Sequence, residues 1–204
     1  MPAMQLYVTL TSPYARLARI LVLEKGLGDR VAIIEAKTRT LGSPYYGVNP
    51  SGRVPYLIDA SGVGLEDSQL ICAYLDQLDG APRFHLPADS SNWAYRRLEA
   101  TARSLCDGIA VWVREMARPP NERSPTVLAH EVARSERLAD LFEERVGGDG
   151  ELKGAPKMAH FILVAALDMA RKRGAGDLTR GRPRLAAWHR DISELPSLRA
   201  TALP

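Results

Sequence analysis

Two periods of apolar residues divide this chain. Through the first eighty positions, short apolar runs rich in β-branched residues alternate with stretches spaced at threes and fours, the signature of strands exchanging with helices. Leu6 to Leu10 predicts a buried strand. A turn at Pro13 leads into a helix to about Gly26, with Leu17, Ile20, Leu21 and Leu23 on its apolar face. Val31 to Ala36 predicts a second strand. Pro55 to Ala60 and Val63 to Leu65 predict two short strands around a Ser61-Gly62 turn, as in a hairpin. A helix from about Asp67 to Leu78 ends near Gly80. The predicted order is β-α-β, a long connection, then β-β-α.

The pattern then breaks. From Gly80 to Ser91 the chain carries Gly, Pro and small polar residues, which mark a linker. Beyond it the strong signals are helical. Leu98, Ala102, Leu105, Ile109, Val113 and Met116 recur at threes and fours, predicting one long amphipathic helix from Asn92 to Arg118, stopped by Pro119-Pro120. Leu128, Val132, Leu138, Leu141 and Phe142 predict a second, ended by Gly147-Gly148. Met158 to Ala170 is apolar almost all round and predicts a central buried helix. Leu185, Trp188 and Ile192 mark a last short one. The fold expected is α/β plus all-α, with a domain over 1–80, a linker over 81–91 and a helical bundle over 92–204.

Composition narrows the function classes. Apolar residues are 46% and charged residues 25%, ordinary for a globular chain with a core. The 27 basic and 24 acidic residues leave a net charge of +3 with no Lys/Arg block, so nucleic acid is a poor partner and a small anionic ligand a better one. Cys72 and Cys106 lie in apolar helical contexts and read as reduced core thiols. His85, His130, His160 and His189 fall in separate segments without ligand spacing, so no metal site is expected, and Trp93, Trp112 and Trp188 fit helix packing. There is no secretory pattern and no apolar run near the roughly 20 residues of a membrane helix, so no membrane association and a cytoplasmic protein are expected.

Three short segments carry candidate chemistry. Thr11-Ser12-Pro13-Tyr14 lies where a strand gives way to a helix. Ser12 suits the cap and Pro13 the first turn, a complete structural account. The same helix N-terminus also favours an anion, and a thiolate is such an anion. In Asn49-Pro50-Ser51-Gly52-Arg53-Val54-Pro55, a Pro opening a strand cannot donate to the ladder. A cis bond there would turn the backbone of Val54 outward, toward a peptide-like ligand; the plainer alternative is an ordinary turn. In Leu65-Glu66-Asp67-Ser68, Asp67 or Ser68 caps the next helix, or binds an α-amino acid head group at its N-terminus.

In this order and spacing, the segments resemble the glutathione transferase family. The resemblance continues through Pro183-Arg184-Leu185-Ala186-Ala187-Trp188 and Leu195-Pro196-Ser197, and so covers essentially the whole chain. Arg114-Glu115-Met116-Ala117-Arg118-Pro119 resembles a bacterial subgroup. The resemblance implies an N-terminal thioredoxin-like domain that binds glutathione and a helical domain that helps hold a second substrate. Ser12 matches the hydroxyl that donates to the glutathione sulfur; Tyr7 and, more closely, Thr11 are its rivals. Val54, ahead of Pro55, matches the residue whose backbone pairs with the cysteinyl part. Asp67 and Ser68 match the γ-glutamyl binders. Arg53 lies near the same pocket, and Lys37 and Arg39 are candidates for the glycyl carboxylate. Tyr14, Cys106, Ile109 and Val113 are candidates for the second-substrate pocket.

The activity implied is attack of the glutathione thiolate on a small, largely apolar electrophile, in a homodimer, with glutathione as co-substrate and no other cofactor. Relatives that use a Cys for thiol–disulfide exchange differ here, since Ser12 and Ala15 occupy the two redox positions. Ala155-Pro156-Lys157-Met158 replaces the Ser/Thr-x-x-Asp box of the family's buried helix, with Pro156 expected in its first turn. Two alternatives stay open: a glutathione-binding regulatory or interaction protein with little turnover, and a glutathione-dependent isomerase or dehalogenase. The isomerase type usually shows S-S-C at the turn where Thr11-Ser12-Pro13 stands.

Overall fold

The computed structural model describes residues 3–86, 90–147 and 152–204. The chain separates into two compact units. One comprises residues 1–85 with 200–204, and the other residues 86–199. Part of the expected linker, residues 87–89, and the expected helix stop at Gly148 lie outside the described residues.

The first unit is built on a four-stranded sheet in the order β2-β1-β3-β4. The strands are β1 (Met4–Val8), β2 (Val31–Glu35), β3 (Tyr56–Ile58) and β4 (Gly64–Glu66). β1 runs parallel to β2 and antiparallel to β3, and β3 is antiparallel to β4. Met4, Leu6 and Val8 are buried while Gln5 faces out, the alternation a pleated strand imposes on one covered face. The apolar run from Leu6 to Leu10 predicts this strand two residues later. The ladder ends at Val8 paired with Glu35, and Leu10 beyond it is exposed.

Helix α1 (Pro13–Glu24) follows β1, and α2 (Ser68–Gln77) follows β4. The two helices pack together. Leu17, Ile20 and Leu21 of α1 and Ile71 and Leu75 of α2 are buried. Past α2, the buried carboxylate of Asp76 accepts the N–H groups of Arg83, Phe84 and His85 at 3.0, 2.9 and 2.9 Å. The Lys25 ammonium lies 3.6 Å away. This carboxylate anchors residues 83–85 to the first unit, beyond the residue-80 boundary read from the sequence. Thr201 and Leu203 are also buried, and the Arg16 Nε donates to Thr201 Oγ1 at 3.4 Å, so the last residues return to this unit.

The second unit is helical: α3 (Trp93–Met116), α4 (Pro125–Gly147), α5 (Met158–Lys172), α6 (Pro183–Ile192) and most of α7 (Pro196–Ala200). α7, only 5 residues long, is too short to leave a helical period in the sequence. α3 packs on α4 and α5, and α4 on α6. α5 is buried from Met158 to Leu167, as its all-round apolar pattern requires. Tyr95 near the start of α3 accepts the Ala159 N–H at 3.1 Å, which sets the beginnings of α3 and α5 side by side. Gly108 permits the close approach of α3 and α4: a Cβ there would sit 2.7–2.8 Å from the side chains of Arg134 and Glu131.

Two local expectations differ from what is seen. Pro156 lies before α5 rather than in its first turn, because Lys157 is the cap residue. Trp93 is 72% exposed at the start of α3, its ring 5.6 Å from the Arg96 guanidinium, so it does not pack between helices. Among the described residues, no helix is long and apolar enough to cross a membrane.

Candidate functional site

Sheet register gathers the candidate segments. The end of β1 at Tyr7 pairs with the start of β3 at Tyr56, and Tyr56 pairs with the end of β4 at Glu66. The residues that leave β1, enter β3 and leave β4 therefore lie at one end of the sheet. They are Ser12, Val54-Pro55 and Asp67-Ser68. β2 ends at the same edge, since Glu35 pairs with Val8, so Lys37 and Arg39 follow from it there.

Ser12 caps α1. Its Oγ accepts the Ala15 N–H at 3.2 Å, and Pro13 fills the first helical position. The hydroxyl proton has no acceptor among the described residues, so Ser12 can cap the helix and donate outward at once. Thr11 is exposed beside it. The Tyr7 hydroxyl instead donates to Gln5 Oε1 at 3.0 Å, toward the start of β1 and away from the helix N-terminus. Tyr14, half-buried, is the second residue of α1.

The Val54–Pro55 peptide is cis. Among the described residues, neither the N–H nor the C=O of half-buried Val54 has a hydrogen-bond partner, although the strand begins two residues later. Pro55 is buried, and Arg53 is exposed. The backbone leading to Val54 is held by two side chains, of which Asn49 lies in the candidate segment and Tyr45 does not. Tyr45 Oη and Asn49 Nδ2 both donate to the Arg53 carbonyl, the latter at 3.0 Å. Burial pushes the Tyr45 hydroxyl above its ordinary pKa, so it stays a donor. The signal for this loop was present: Ser43-Pro44 is a cap followed by a first-turn proline, and it opens a 3₁₀ turn over Pro44–Gly47 that carries Tyr45.

Asp67 caps α2 through Oδ1, which accepts the N–H groups of Gln69 at 2.7 Å and Leu70 at 3.3 Å. Its φ of +82° is a conformation that a non-glycine residue holds only when its surroundings enforce it, and such strain gathers at binding sites. With two first-turn donors taken by Asp67, the Ser68 N–H remains at the helix N-terminus. Ser68 itself is buried. The arrangement offers a carboxylate oxygen to an ammonium, and an N–H and a hydroxyl to a carboxylate.

In the second unit, Cys106 and Ile109 are buried. Val113 lines a cavity of about 320 Å³ with Met116, Ala117, Lys172, Arg173 and Gly174, where the C-terminal ends of α3 and α5 meet. Cys72 and Cys106 are buried and form no disulfide. The histidines have structural partners or exposure: His85 Nδ1 meets Asp76 at 3.1 Å, His189 Nε2 meets Asp168 at 2.9 Å, His160 Nδ1 accepts the Lys157 N–H, and His130 is exposed. Among the described residues, no group of three or more His, Cys, Asp or Glu could hold a metal ion.

Comparison with known proteins matches residues 6–83 to the family model described as glutathione S-transferase, N-terminal domain. The uncharacterized GST-like protein YibF of Escherichia coli K12 is 33% identical over 151 residues, spanning 74% of this chain and 73% of that protein. A crystal structure of a glutathione S-transferase from Methylobacillus flagellatus KT with glutathione bound superposes with a TM-score of 0.86 at 27% identity. That match covers 98% of this chain and 100% of the other. A glutathione transferase family member from Pseudomonas fluorescens Pf-5 with bound S-(propanoic acid)-glutathione gives a TM-score of 0.84 at 28% identity, with 98% and 100% covered.

Proposed function

Because this chain belongs to the glutathione S-transferase family, we propose that it binds glutathione at the shared edge of its four-stranded sheet and transfers it, as thiolate, to an electrophile. One observation carries the reading. Three groups without partners among the described residues converge at that edge: the Ser12 hydroxyl proton, the backbone of Val54, and the Ser68 N–H. A peptide with a thiol at its centre and an amino acid head group at one end uses all three. The Val54 N–H and C=O pair with the cysteinyl residue as a strand would. Asp67 and Ser68 take the γ-glutamyl ammonium and carboxylate. The exposed cations Lys37, Arg39 and Arg53 lie near the glycyl carboxylate.

Chemistry follows from the Ser12 hydroxyl. A donor to the sulfur favours the charged form, and the N-terminal end of α1 favours it too. Both bring the thiol down from its ordinary value of about 8.5, so more thiolate is present near neutrality. The S–C bond then forms as the thiolate attacks the electrophilic carbon and the leaving group departs with its electron pair. No redox partner is needed. The second substrate is largely apolar in this reading, and two copies of the chain associate.

Calorimetry with glutathione on wild type and Ser12→Ala tests the proposal, with thiolate absorbance recorded in the same samples. Wild type should bind and show thiolate near pH 7. The variant should bind within a few-fold and lose most of the thiolate signal. Wild type that does not bind glutathione would leave the fold serving as an interaction module or accepting another thiol. Binding with thiolate unchanged in Ser12→Ala would pass the donor role to Thr11.

A further inference from the structure

Arg53 is held by both of its backbone groups. Its carbonyl accepts from Tyr45 Oη and Asn49 Nδ2. Its N–H donates to Ser51 Oγ at 3.2 Å. The same Ser51 hydroxyl donates to Glu66 Oε2 at 2.6 Å, a short bond of the kind a charged acceptor makes. Glu66 is the last residue of β4 and directly precedes Asp67. A continuous run of hydrogen bonds therefore passes from the segment that enters Val54, through one hydroxyl, to the strand end that delivers Asp67 and Ser68. β3 already pairs with β4 at Tyr56 and Glu66, but the loop before β3 is outside that ladder. Ser51 makes the one hydrogen bond seen among the described residues between the loop tip over Pro50–Gly52 and β4.

We propose that Ser51 and Glu66 are positioning residues that set the distance between the backbone of Val54 and the head-group cradle at Asp67-Ser68, and so match the site to a γ-glutamyl-cysteinyl ligand. The inference rests on the glutathione reading above. Neither residue touches the ligand in this account. Ser51 is exposed and Glu66 half-exposed, so their bond adds little to global stability. What it removes is freedom of the loop, which a ligand would otherwise have to order on binding. The bond to Glu66 needs an oxygen acceptor, which glutamine also provides.

Glutathione affinity by calorimetry on wild type, Ser51→Ala, Glu66→Ala and Glu66→Gln, with thermal midpoints for each, tests the proposal. Ser51→Ala and Glu66→Ala should each weaken binding by about three- to tenfold, the range expected for one lost hydrogen bond. Their midpoints should match wild type. Glu66→Gln should bind within about twofold of wild type, a rescue that a loss of charge alone would not allow. Wild type that fails to bind overturns the glutathione reading itself. Wild type that binds while both alanine variants match it overturns the positioning role alone, as does a Glu66→Gln variant as weak as Glu66→Ala.

Discussion

Single residues in this chain often serve a second purpose that their neighbours dictate. His160 shows it best. Lys157 stands at the cap of α5 but has no acceptor to offer, and His160 Nδ1 accepts the Lys157 N–H at 3.2 Å instead. That bond requires a neutral ring nitrogen. Burial pushes the His160 pKa below its ordinary value, with the Lys157 charge acting the same way against hydrogen bonds that oppose it. In the unfolded chain the ring titrates near about 6.5. Above that pH both states are neutral and the contribution of His160 is complete. Below it the unfolded chain takes up a proton that the folded chain refuses, so stability falls as the pH drops. The thermal midpoint should therefore decline between about pH 7 and pH 5.5. His160→Gln, which keeps an acceptor at the third helical position, should flatten that decline. An unchanged slope in the variant would remove His160 as its source. The missing box before α5 is legible in the sequence, but its substitute is not, since histidine is not an ordinary capping partner.

At the scale of elements, helix ends carry both the fold and the chemistry. α1 and α2 each begin with a side-chain cap, Ser12 and Asp67, that was legible from residue type and position alone. Their other ends were not legible. Asp76 lies in the last turn of α2, in no motif that marks it in the sequence, yet its side chain is buried among three N–H donors, Lys25 and His85. Burial alone would raise its pKa, but those donors hold the carboxyl below its ordinary range. Its stabilisation is thus complete above the unfolded value of about 4 and is lost as the pH falls through the lower folded value. Asp76→Ala should destabilise the protein by roughly 2–4 kcal/mol, because it leaves the N–H groups of Arg83, Phe84 and His85 without their acceptor, while the Lys25 ammonium keeps Asp79 at 2.7 Å and the Ala81 carbonyl at 2.9 Å. Urea melts at pH 7 give the difference directly, and a loss under about 1 kcal/mol would mean that water replaces the carboxylate at little cost.

At the scale of the molecule, the chain divides between residues 85 and 86, inside the stretch where its composition changes, but a second division near the C-terminus leaves no such mark. The final residues 200–204 belong with the first unit, not with the helices that precede them. Deleting residues 201–204 takes Thr201 from the buried Arg16 and removes the buried Leu203 side chain. The loss should be about 2–4 kcal/mol, a buried leucine and one hydrogen bond together. Chemical denaturation would show it, and an unchanged midpoint would exclude the segment from the core of the first unit. Periodicity determined by itself which stretches are strands and which are helices, because the burial of one face repeats every two or 3.6 residues and leaves its mark in the chain. Residue type likewise marked Ser12, Pro55 and Asp67, whose chemistry acts within a few positions. Only the tertiary structure decided that these three meet. Their approach depends on the pairing of Tyr7 with Tyr56 and of Tyr56 with Glu66, between strands far apart in sequence. The contacts of Ser51 with Glu66, and of Asp76 with residues 83–85, arise in the same way. Their partners are joined by folding across a distance that no local pattern records.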